Sequence, residues 1–352
     1  MEWLGAPPAR TLIIPLMDLP IRPRRNRKSP AVRGLCRETR LHAEQLVYPV
    51  FIQRGAADEP IDAMPGCTRW GADAAQGLLK ELTQARELGV RAFILFPRID
   101  DGLKSRTGDE AWNDRGLVPA VVRLIKRELP DCVVMTDVAL DPYNSDGHDG
   151  VVSPGGVVMN DETVDALCRQ ALCHARAGAD VVAPSDMMDG RVAAIRTAMD
   201  EEGFTDVSIL AYTAKYASAF YGPFRGALDS APKASGNVPA DKKTYQMDIA
   251  NVREALREMA QDELEGADML MVKPAGPYLD VIRTLRDATT LPLAAYQVSG
   301  EYLMIRSAAA RGWLDERAVV LETLTGIARA GADLILTYFA PHAARWLAQQ
   351  RG

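Results

Sequence analysis

Eight short apolar runs recur along this chain of 352 residues, and helical patterns lie between most of them. The runs are continuously apolar rather than alternating, which is typical of parallel strands covered on both faces. They occupy residues 46–52, 92–97, 132–140, 181–186, 208–215, 269–274, 291–298 and 334–339. The helical patterns occupy residues 74–88, 117–129, 162–177, 188–202 and 247–265. This alternation predicts an α/β protein with a (β/α)8 TIM-barrel fold, and a doubly wound sheet is the alternative.

The phrase Gly-Ala-Asp stands three times between a helical pattern and an apolar run, at residues 178–180, 266–268 and 331–333. A glycine at the end of a helix readily adopts the left-handed conformation that caps it. The recurrence therefore indicates one repeating unit of helix and strand.

Residues 1–45 do not follow this rhythm and are rich in Pro and Arg, with a basic run from Arg22 to Lys28. We predict an extended N-terminal arm over 1–45 that is solvated or makes subunit contacts, followed by a barrel domain over 46–352. A nucleic-acid patch is the alternative for the basic run. The net charge of −6 argues against it, so we expect no nucleic-acid partner.

The five cysteines include no CxxC pair, and three of them fall in apolar contexts, which favours a reducing compartment. No apolar run approaches the length of about 20 residues that a membrane span needs. We therefore expect a cytoplasmic protein without a membrane partner.

One long connection, residues 216–248, follows the fifth apolar run and is full of Gly, Pro, Ser and Lys. A connection of that length inside a compact domain is usually functional or disordered. On a barrel it would hang over the catalytic face, so we predict that residues 216–248 form an active-site lid.

Catalytic side chains of a TIM barrel lie at the carboxyl ends of its strands. Here the apolar runs end in polar or ionisable residues, namely Asp137, Asp141, Ser185, Asp186, Lys215, Lys273, Gln297, Ser299 and Tyr338. Their concentration at one end of the predicted barrel indicates that the site lies there.

Lys215 and Lys273 end the fifth and sixth runs, which would be neighbouring strands. Two ammonium groups in one mouth would lower each other's pKa, and burial would act in the same direction. A lysine that is neutral near pH 7 attacks a carbonyl carbon to form a Schiff base. Two other interpretations remain open at this point: both lysines reach to the rim, or one binds a substrate phosphate.

Four aspartates, one histidine and two glycines lie within residues 136–150. Such a loop could hold a hard cation, form turns through its own hydrogen bonds, or orient substrate amines and relay protons. In the lid, Arg225 could clamp a carboxylate or be an ordinary surface arginine.

Several longer strings carry a family resemblance. They include Asp-Val-Ala-Leu-Asp-Pro-Tyr, Ala-Pro-Ser-Asp-Met-Met-Asp-Gly-Arg, Ala-Lys-Tyr-Ala-Ser-Ala-Phe-Tyr-Gly-Pro-Phe-Arg, Met-Val-Lys-Pro and Tyr-Gln-Val-Ser-Gly-Glu-Tyr. In this order, from the arm to near the carboxyl terminus, the chain resembles the porphobilinogen synthases (5-aminolevulinate dehydratases). The resemblance implies a lyase of tetrapyrrole biosynthesis that condenses two molecules of 5-aminolevulinate to porphobilinogen with loss of two waters.

The resemblance also implies residue roles. Lys273 would hold the first substrate as a Schiff base, Lys215 would engage the second, and Asp137 would assist proton transfer. The other implied substrate-binding residues are Ser299 and Tyr338 for the first carboxylate, Arg225, Lys242 and Gln246 for the second, Asp141 and Asp149 beside the second substrate, and Phe224.

Zinc-dependent members of this family have cysteines where this chain has Ala139, Asp141 and Asp149. An alanine and two carboxylates do not make a thiolate zinc site, so the resemblance is to the branch without catalytic Zn²⁺. That branch implies an allosteric Mg²⁺ at Glu258, although a glutamate in a charged helical stretch is also typical of a solvated face. The family further implies dimers that assemble through the arms into a homo-octamer, with a hexamer as a second assembly.

Two other functions are the alternatives to this lyase. A class I aldolase uses a single Schiff base on a TIM barrel, and the second strand-end lysine and the lid with Arg225 argue against it. A non-catalytic assembly protein predicts the loss of at least one strand-end group, and none of those named above is missing.

Overall fold

The computed structural model describes residues 20–232 and 237–349. The chain divides into two compact units, Met1–Arg40 and Leu41–Gly352. In the first unit a 3-10 helix, Pro23–Arg27, precedes helix α1, Pro30–Leu35, whose first turn is capped by the hydroxyl of Ser29. Part of the predicted arm is therefore helical, and its first 19 residues lie outside the described part of the chain.

Within the described residues of the second unit, eight parallel strands form a closed barrel. In barrel order they are β1 (Leu46–Gln53), β4 (Ala92–Arg98), β5 (Val133–Val138), β6 (Val181–Pro184), β7 (Ser208–Lys215), β8 (Met269–Lys273), β9 (Leu293–Gln297) and β10 (Leu334–Thr337). Strand β10 pairs in parallel with β1, which closes the barrel. A small hairpin, β2 (Glu59–Pro60) and β3 (Thr68–Gly71), continues from the end of β1. The predicted (β/α)8 fold is confirmed, and barrel closure excludes the doubly wound sheet.

The helices of the second unit cover the outside of the barrel or lie at its ends. After α1 they are α2 (Gln76–Glu87), α3 (Leu117–Glu128), α4 (Asn160–Ala177), α5 (Arg191–Glu201), α6 (Gly222–Leu228), α7 (Arg253–Leu264), α8 (Leu279–Ala288), α9 (Ser299–Ala310), α10 (Glu316–Ala330) and α11 (Ala340–Gln349). Helix α7 begins later than predicted, because Asp248 accepts hydrogen bonds from the backbone of Ala250 and Asn251 and forms a turn. Among the described residues, no helix is long and apolar enough to cross a bilayer.

The Gly-Ala-Asp phrases have a common structural role. Each glycine ends a helix at positive φ, and each aspartate stands just before a strand. The aspartate carboxylate accepts a hydrogen bond from a backbone N–H at the start of the preceding strand of the barrel. The pairs are Asp180 with Val134 at 2.8 Å, Asp268 with Ile209 at 2.7 Å and Asp333 with Leu293 at 2.9 Å. The repeated phrase thus ties neighbouring strands together at the end of the barrel opposite the predicted site.

Candidate active site

Lys215 and Lys273 are the last residues of β7 and β8 and face each other in register. A bulge in β7 between Ala211 and Ala214 shifts the pairing by one residue and brings the two lysines level. The lysines are only 5% and 6% exposed. The sequence predicted that both would point into one mouth, and the structure places them there.

Aromatic rings surround the ammonium group of Lys273. Its Nζ lies 4.6 Å from the ring centre of Tyr296, and 5.1, 5.3 and 5.1 Å from those of Tyr212, Tyr221 and Phe224. Burial, reinforced by the positive charge of Lys215, lowers the pKa of Lys273 to about 7. A substantial share of Lys273 is therefore a neutral amine near pH 7, ready to attack a carbonyl carbon.

The ammonium group of Lys215 lies 5.8 Å from the ring centre of Tyr212, and its other neighbours are polar. Its ammonium group donates a hydrogen bond to the carbonyl oxygen of Ser185 and lies 3.8 Å from Oδ1 of Asp149. Both partners are buried. Lys215 is thus held by a fixed dipole and a fixed anion, in contrast to the aromatic surroundings of Lys273.

The buried carboxylates at the mouth have opposite pKa shifts. Burial, together with the charge of Asp141, raises the pKa of Asp137 to about 7. Burial also favours the neutral form of Asp149, but the ammonium groups of Lys215 and Lys242 outweigh it and lower its pKa. Asp137 can therefore exchange a proton near neutral pH, whereas Asp149 remains an anion.

Residues of the predicted lid contact these groups. The lid's described residues include a 3-10 helix, Ala219–Tyr221, and helix α6, which carries Phe224 and Arg225. The backbone N–H of Phe224 donates to the hydroxyl of Ser299 at 3.1 Å. The ring of Phe224 also contacts the ring of Phe96 from the barrel interior, with ring centres 5.1 Å apart. The role of residues 216–248 as a moving lid stays a prediction.

The second half of the lid brings Lys242 and Gln246 to the site. The ammonium group of Lys242 donates to Asp149 at 3.2 Å and to Asp141 at 3.4 Å. Burial opposes the charge on Lys242, but these carboxylates raise its pKa. Gln246 is buried, and its side-chain oxygen has no hydrogen-bond partner among the described residues.

His148 anchors this half of the lid. Its ring nitrogens contact the hydroxyl of Tyr245 at 3.0 Å and the carbonyl oxygen of Pro239 at 2.8 Å. Tyr245 also accepts a hydrogen bond from the backbone N–H of Asp149 at 3.3 Å. The acidic segment 136–150 therefore forms part of the surface against which the second half of the predicted lid packs.

Ser299 and Tyr338 lie on the Lys273 side of the mouth. Ser299 is fully buried and donates to the carbonyl oxygen of Phe220 at 3.3 Å. The hydroxyl of Tyr338 contacts that of Tyr296, one of the rings beside Lys273, at 2.9 Å. These hydroxyls therefore border the aromatic pocket around Lys273.

Glu258 is the predicted site residue that the structure keeps apart from the lysines. It lies half-buried on α7 and lines a separate cavity of about 590 Å³ with Asp189, Glu254 and Gln246. Burial raises its pKa. Among the described residues, no group of three or more His, Cys, Asp or Glu side chains is arranged to hold a metal ion.

Sequence reasoning missed three tyrosines around Lys273. Tyr212, Tyr221 and Tyr296 read as apolar strand or lid residues, yet all are buried at the site. The hydroxyl of Tyr212 has no hydrogen-bond partner among the described residues. Tyr212 lies three residues before Lys215 in the same strand, which was the available signal. The bulge between Ala211 and Ala214 interrupts the alternation of inward and outward side chains along β7, so this spacing did not show that Tyr212 faces the site.

Comparison with known proteins decides the family. Residues 20–346 match the family model described as delta-aminolevulinic acid dehydratase. The chain belongs to the delta-aminolevulinic acid dehydratase family. The chloroplastic delta-aminolevulinic acid dehydratase of Physcomitrium patens is 61% identical over 99% of this chain and 78% of its own length. The chloroplastic delta-aminolevulinic acid dehydratase 1 of Arabidopsis thaliana is 58% identical over 98% of this chain and 79% of its own length.

A solved relative supports the same assignment. The Toxoplasma gondii delta-aminolevulinic acid dehydratase, determined with the reaction product porphobilinogen, is 52% identical and superimposes with a TM-score of 0.91. The match covers 94% of this chain and 93% of the other.

The cytoplasmic prediction is wrong. It is contradicted by the relatives from Physcomitrium patens and Arabidopsis thaliana, which are named as chloroplastic enzymes. Unpaired thiols distinguish reducing from oxidising compartments, but they do not distinguish one reducing compartment from another.

Proposed function

We propose that this chain condenses two molecules of 5-aminolevulinate to porphobilinogen, with Lys273 and Lys215 as Schiff-base lysines. The observation that carries the proposal is the pair of buried lysines side by side at the mouth of the barrel. The porphobilinogen-bound relative supports the same product. The reaction belongs to tetrapyrrole biosynthesis and is that of a dehydratase, a lyase.

In the first step, the neutral amine of Lys273 attacks the ketone carbon of the first substrate. The carbonyl oxygen leaves as water, and Asp137, whose pKa is about 7, is placed to supply and take back protons. Lys215 forms the second imine in the same way and releases the second water. The aromatic rings around Lys273 and the closed lid keep bulk water from hydrolysing the imines.

The new bonds then release both lysines. An amine nitrogen of one substrate replaces a lysine nitrogen and forms the C–N bond, and a carbon nucleophile displaces the other lysine and forms the C–C bond. Two substrates thus give one product and two waters, and both lysines are regenerated. Holding both molecules in one cavity turns an encounter of dilute amines into an intramolecular step.

The substrate carboxylates are assigned by charge and position. Arg225 and Lys242 bring two cations to the Lys215 side, and Gln246 adds an amide there. Among the described residues, Arg225 has no carboxylate partner of its own, which leaves its guanidinium group for a ligand. Ser299 and Tyr338 offer hydroxyls for the carboxylate of the first substrate beside Lys273.

We further propose that Mg²⁺ binds at Glu258 as an allosteric ion. Mg²⁺ keeps several waters and takes only one or two carboxylates from a protein, which suits a polar cavity that Glu258 shares with Glu254 and Asp189. The ion would supply positive charge where burial disfavours the Glu258 anion. At the zinc position of other family members, Asp141 and Asp149 bind Lys242 instead, and Ala139 offers no ligand atom, so no catalytic Zn²⁺ is expected.

The quaternary structure is part of the same proposal. We expect dimers that assemble into a homo-octamer through the arms at residues 1–45. Size-exclusion chromatography with light scattering of the full chain, and of a variant that lacks residues 1–40, tests this directly.

The function is tested with purified, chelator-treated protein and 5-aminolevulinate, with and without Mg²⁺, by the colour reaction of porphobilinogen with an aldehyde reagent. Product that rises with Mg²⁺ supports both the function and the ion. Product that is indifferent to Mg²⁺ keeps the function and removes the Mg²⁺ proposal. Absence of product from folded protein in either condition contradicts the proposed function.

A further inference from the structure

Glu301 is a buried glutamate in the first turn of α9. It lies close to the site, but among the described residues it forms no hydrogen bond or ion pair with the side chain of Lys215 or Lys273. Its Oε1 accepts a hydrogen bond from the backbone N–H of Gly276 at 2.7 Å. Its Oε2 accepts from the N–H of Val298 at 2.8 Å and of Ala275 at 3.4 Å. One carboxylate thus satisfies three backbone donors that belong to two different loops.

These loops carry two residues of the proposed mechanism. Ala275 and Gly276 follow directly after Lys273 and Pro274, and Val298 directly precedes Ser299. The backbone pairing between β8 and β9 ends at Val272, one residue before Lys273. The Glu301 carboxylate therefore links the loops after β8 and β9, just beyond the last backbone pairing between these two strands.

Gly276 leaves room for this contact. A Cβ atom at position 276 would lie 2.6 Å from Oε1 of Glu301, closer than real Cβ contacts come. The backbone of Gly276 does not have positive φ, so space rather than conformation explains the glycine. An adjacent ring, Tyr221, whose hydroxyl donates to the carbonyl oxygen of Lys273 at 3.0 Å, fixes the same loop from the lid side.

We infer that Glu301 is a positioning residue of the condensation: its carboxylate holds the loops after β8 and β9 in register, and so fixes Lys273 relative to Ser299. The inference rests on the roles proposed for Lys273 and Ser299. It follows that the first substrate is held at two points, by its ketone and by its carboxylate, whose spacing depends on Glu301. Loss of that spacing affects the chemical step, since small misplacements of reacting groups are costly.

The first test is Glu301→Gln, which keeps the shape but turns an NH₂ group toward at least one backbone N–H. We expect kcat to fall about 10- to 100-fold and KM for 5-aminolevulinate to rise several-fold, because displacement of a reacting group by about 1 Å has effects of this order. The matched control is Glu316→Gln, also in the first turn of a helix, whose carboxylate pairs with Arg306 at 2.6 Å. We expect this control to have the kcat and KM of the original chain.

The second test reaches the same contact from the other side. Gly276→Ala should reproduce the Glu301→Gln effect, and Gly102→Ala is its control, since a Cβ at position 102 meets nothing within 4 Å. Because both changes break one contact, the double variant should lose little more than either single variant, which is the signature of coupled residues. If Glu301→Gln does not fold, Gly276→Ala decides alone.

A merely structural role predicts a lower melting temperature with unchanged kcat per folded molecule. That result, or independent, additive losses in the two variants, overturns the inference. Unchanged kcat and KM in folded Gly276→Ala also overturn it. If the original chain makes no porphobilinogen, the proposed function itself fails, so the two failures are distinguishable.

Discussion

Lys215 and Lys273 end adjacent strands and face each other, yet they lie in different surroundings. Lys273 lies among four aromatic rings, and its pKa is lowered to about 7 by burial and by the charge of Lys215. Lys215 contacts a carbonyl oxygen and the Asp149 anion. Two identical side chains thus obtain different chemistry from what surrounds them. We infer that Lys273 is prepared as the first nucleophile, whereas Lys215 depends on the polar half of the site.

The largest expected effect comes from removing either lysine. Lys273→Met and Lys215→Met should each lower kcat for porphobilinogen formation by about 10⁴-fold or more, as expected when a covalent nucleophile is lost. Lys243→Met, at an exposed lid position next to Lys242, is the control and should retain full activity. Steady-state assays on folded variants measure this. Substantial activity of Lys215→Met would show that one Schiff base suffices and would favour an aldolase-like mechanism.

The next effect concerns proton transfer. Asp137→Asn should lower kcat by about 10²- to 10⁴-fold, the range for loss of a general acid or base. The pKa of Asp137, about 7, lets it give and take protons near neutral pH, and an amide cannot do so. Asp241→Asn, an exposed lid aspartate, is the control and should leave kcat unchanged. Equal kcat in Asp137→Asn and the original chain would remove Asp137 from the mechanism.

A smaller effect is expected for substrate binding on the Lys215 side of the site. Arg225→Ala should raise KM for 5-aminolevulinate by about 10-fold with a lesser change in kcat, since a charged hydrogen bond to a carboxylate contributes at that level. Arg253→Ala, an exposed arginine at the start of α7, serves for comparison. Substrate-concentration series at fixed pH give both constants. An unchanged KM would place the second carboxylate elsewhere.

The smallest effect is a shift in pH dependence. Imine formation at Lys273 should increase as pH rises through about 7, because the ammonium group loses its proton there. In Lys215→Met a repelling cation is gone, so the pKa of Lys273 should rise and the increase should move to higher pH by about one unit. Single-turnover trapping of the imine across a pH series measures the shift. An unmoved profile would mean that burial alone sets the pKa of Lys273.

Much of the fold could be predicted from the sequence, because parallel strands covered on both faces produce continuous apolar runs and glycine ends the helices before them. The strand-end rule then located Lys215 and Lys273 correctly. It could not reveal the bulge at Ala211–Ala214, since a one-residue shift in strand pairing does not change the pattern of apolar and polar residues in the sequence.

Contacts that depend on tertiary structure were also beyond the sequence. Glu301 could not be singled out from the sequence, because its partners are backbone N–H groups on two loops. Glu258 could be assigned a role only by resemblance, and the structure places it in a cavity that it shares with Gln246 of the predicted lid. The compartment was predicted wrongly, because nothing in the thiol pattern distinguishes reducing compartments.

The central claim, two Schiff-base lysines with unequal surroundings, is tested most directly by borohydride reduction in the presence of isotope-labelled 5-aminolevulinate, followed by peptide mass spectrometry. Lys243 on the exposed lid serves as the internal control. The account predicts that label appears first on Lys273 at low substrate and then also on Lys215 as substrate is raised. Label on neither residue, or on Lys242 or Lys243 instead, would contradict it.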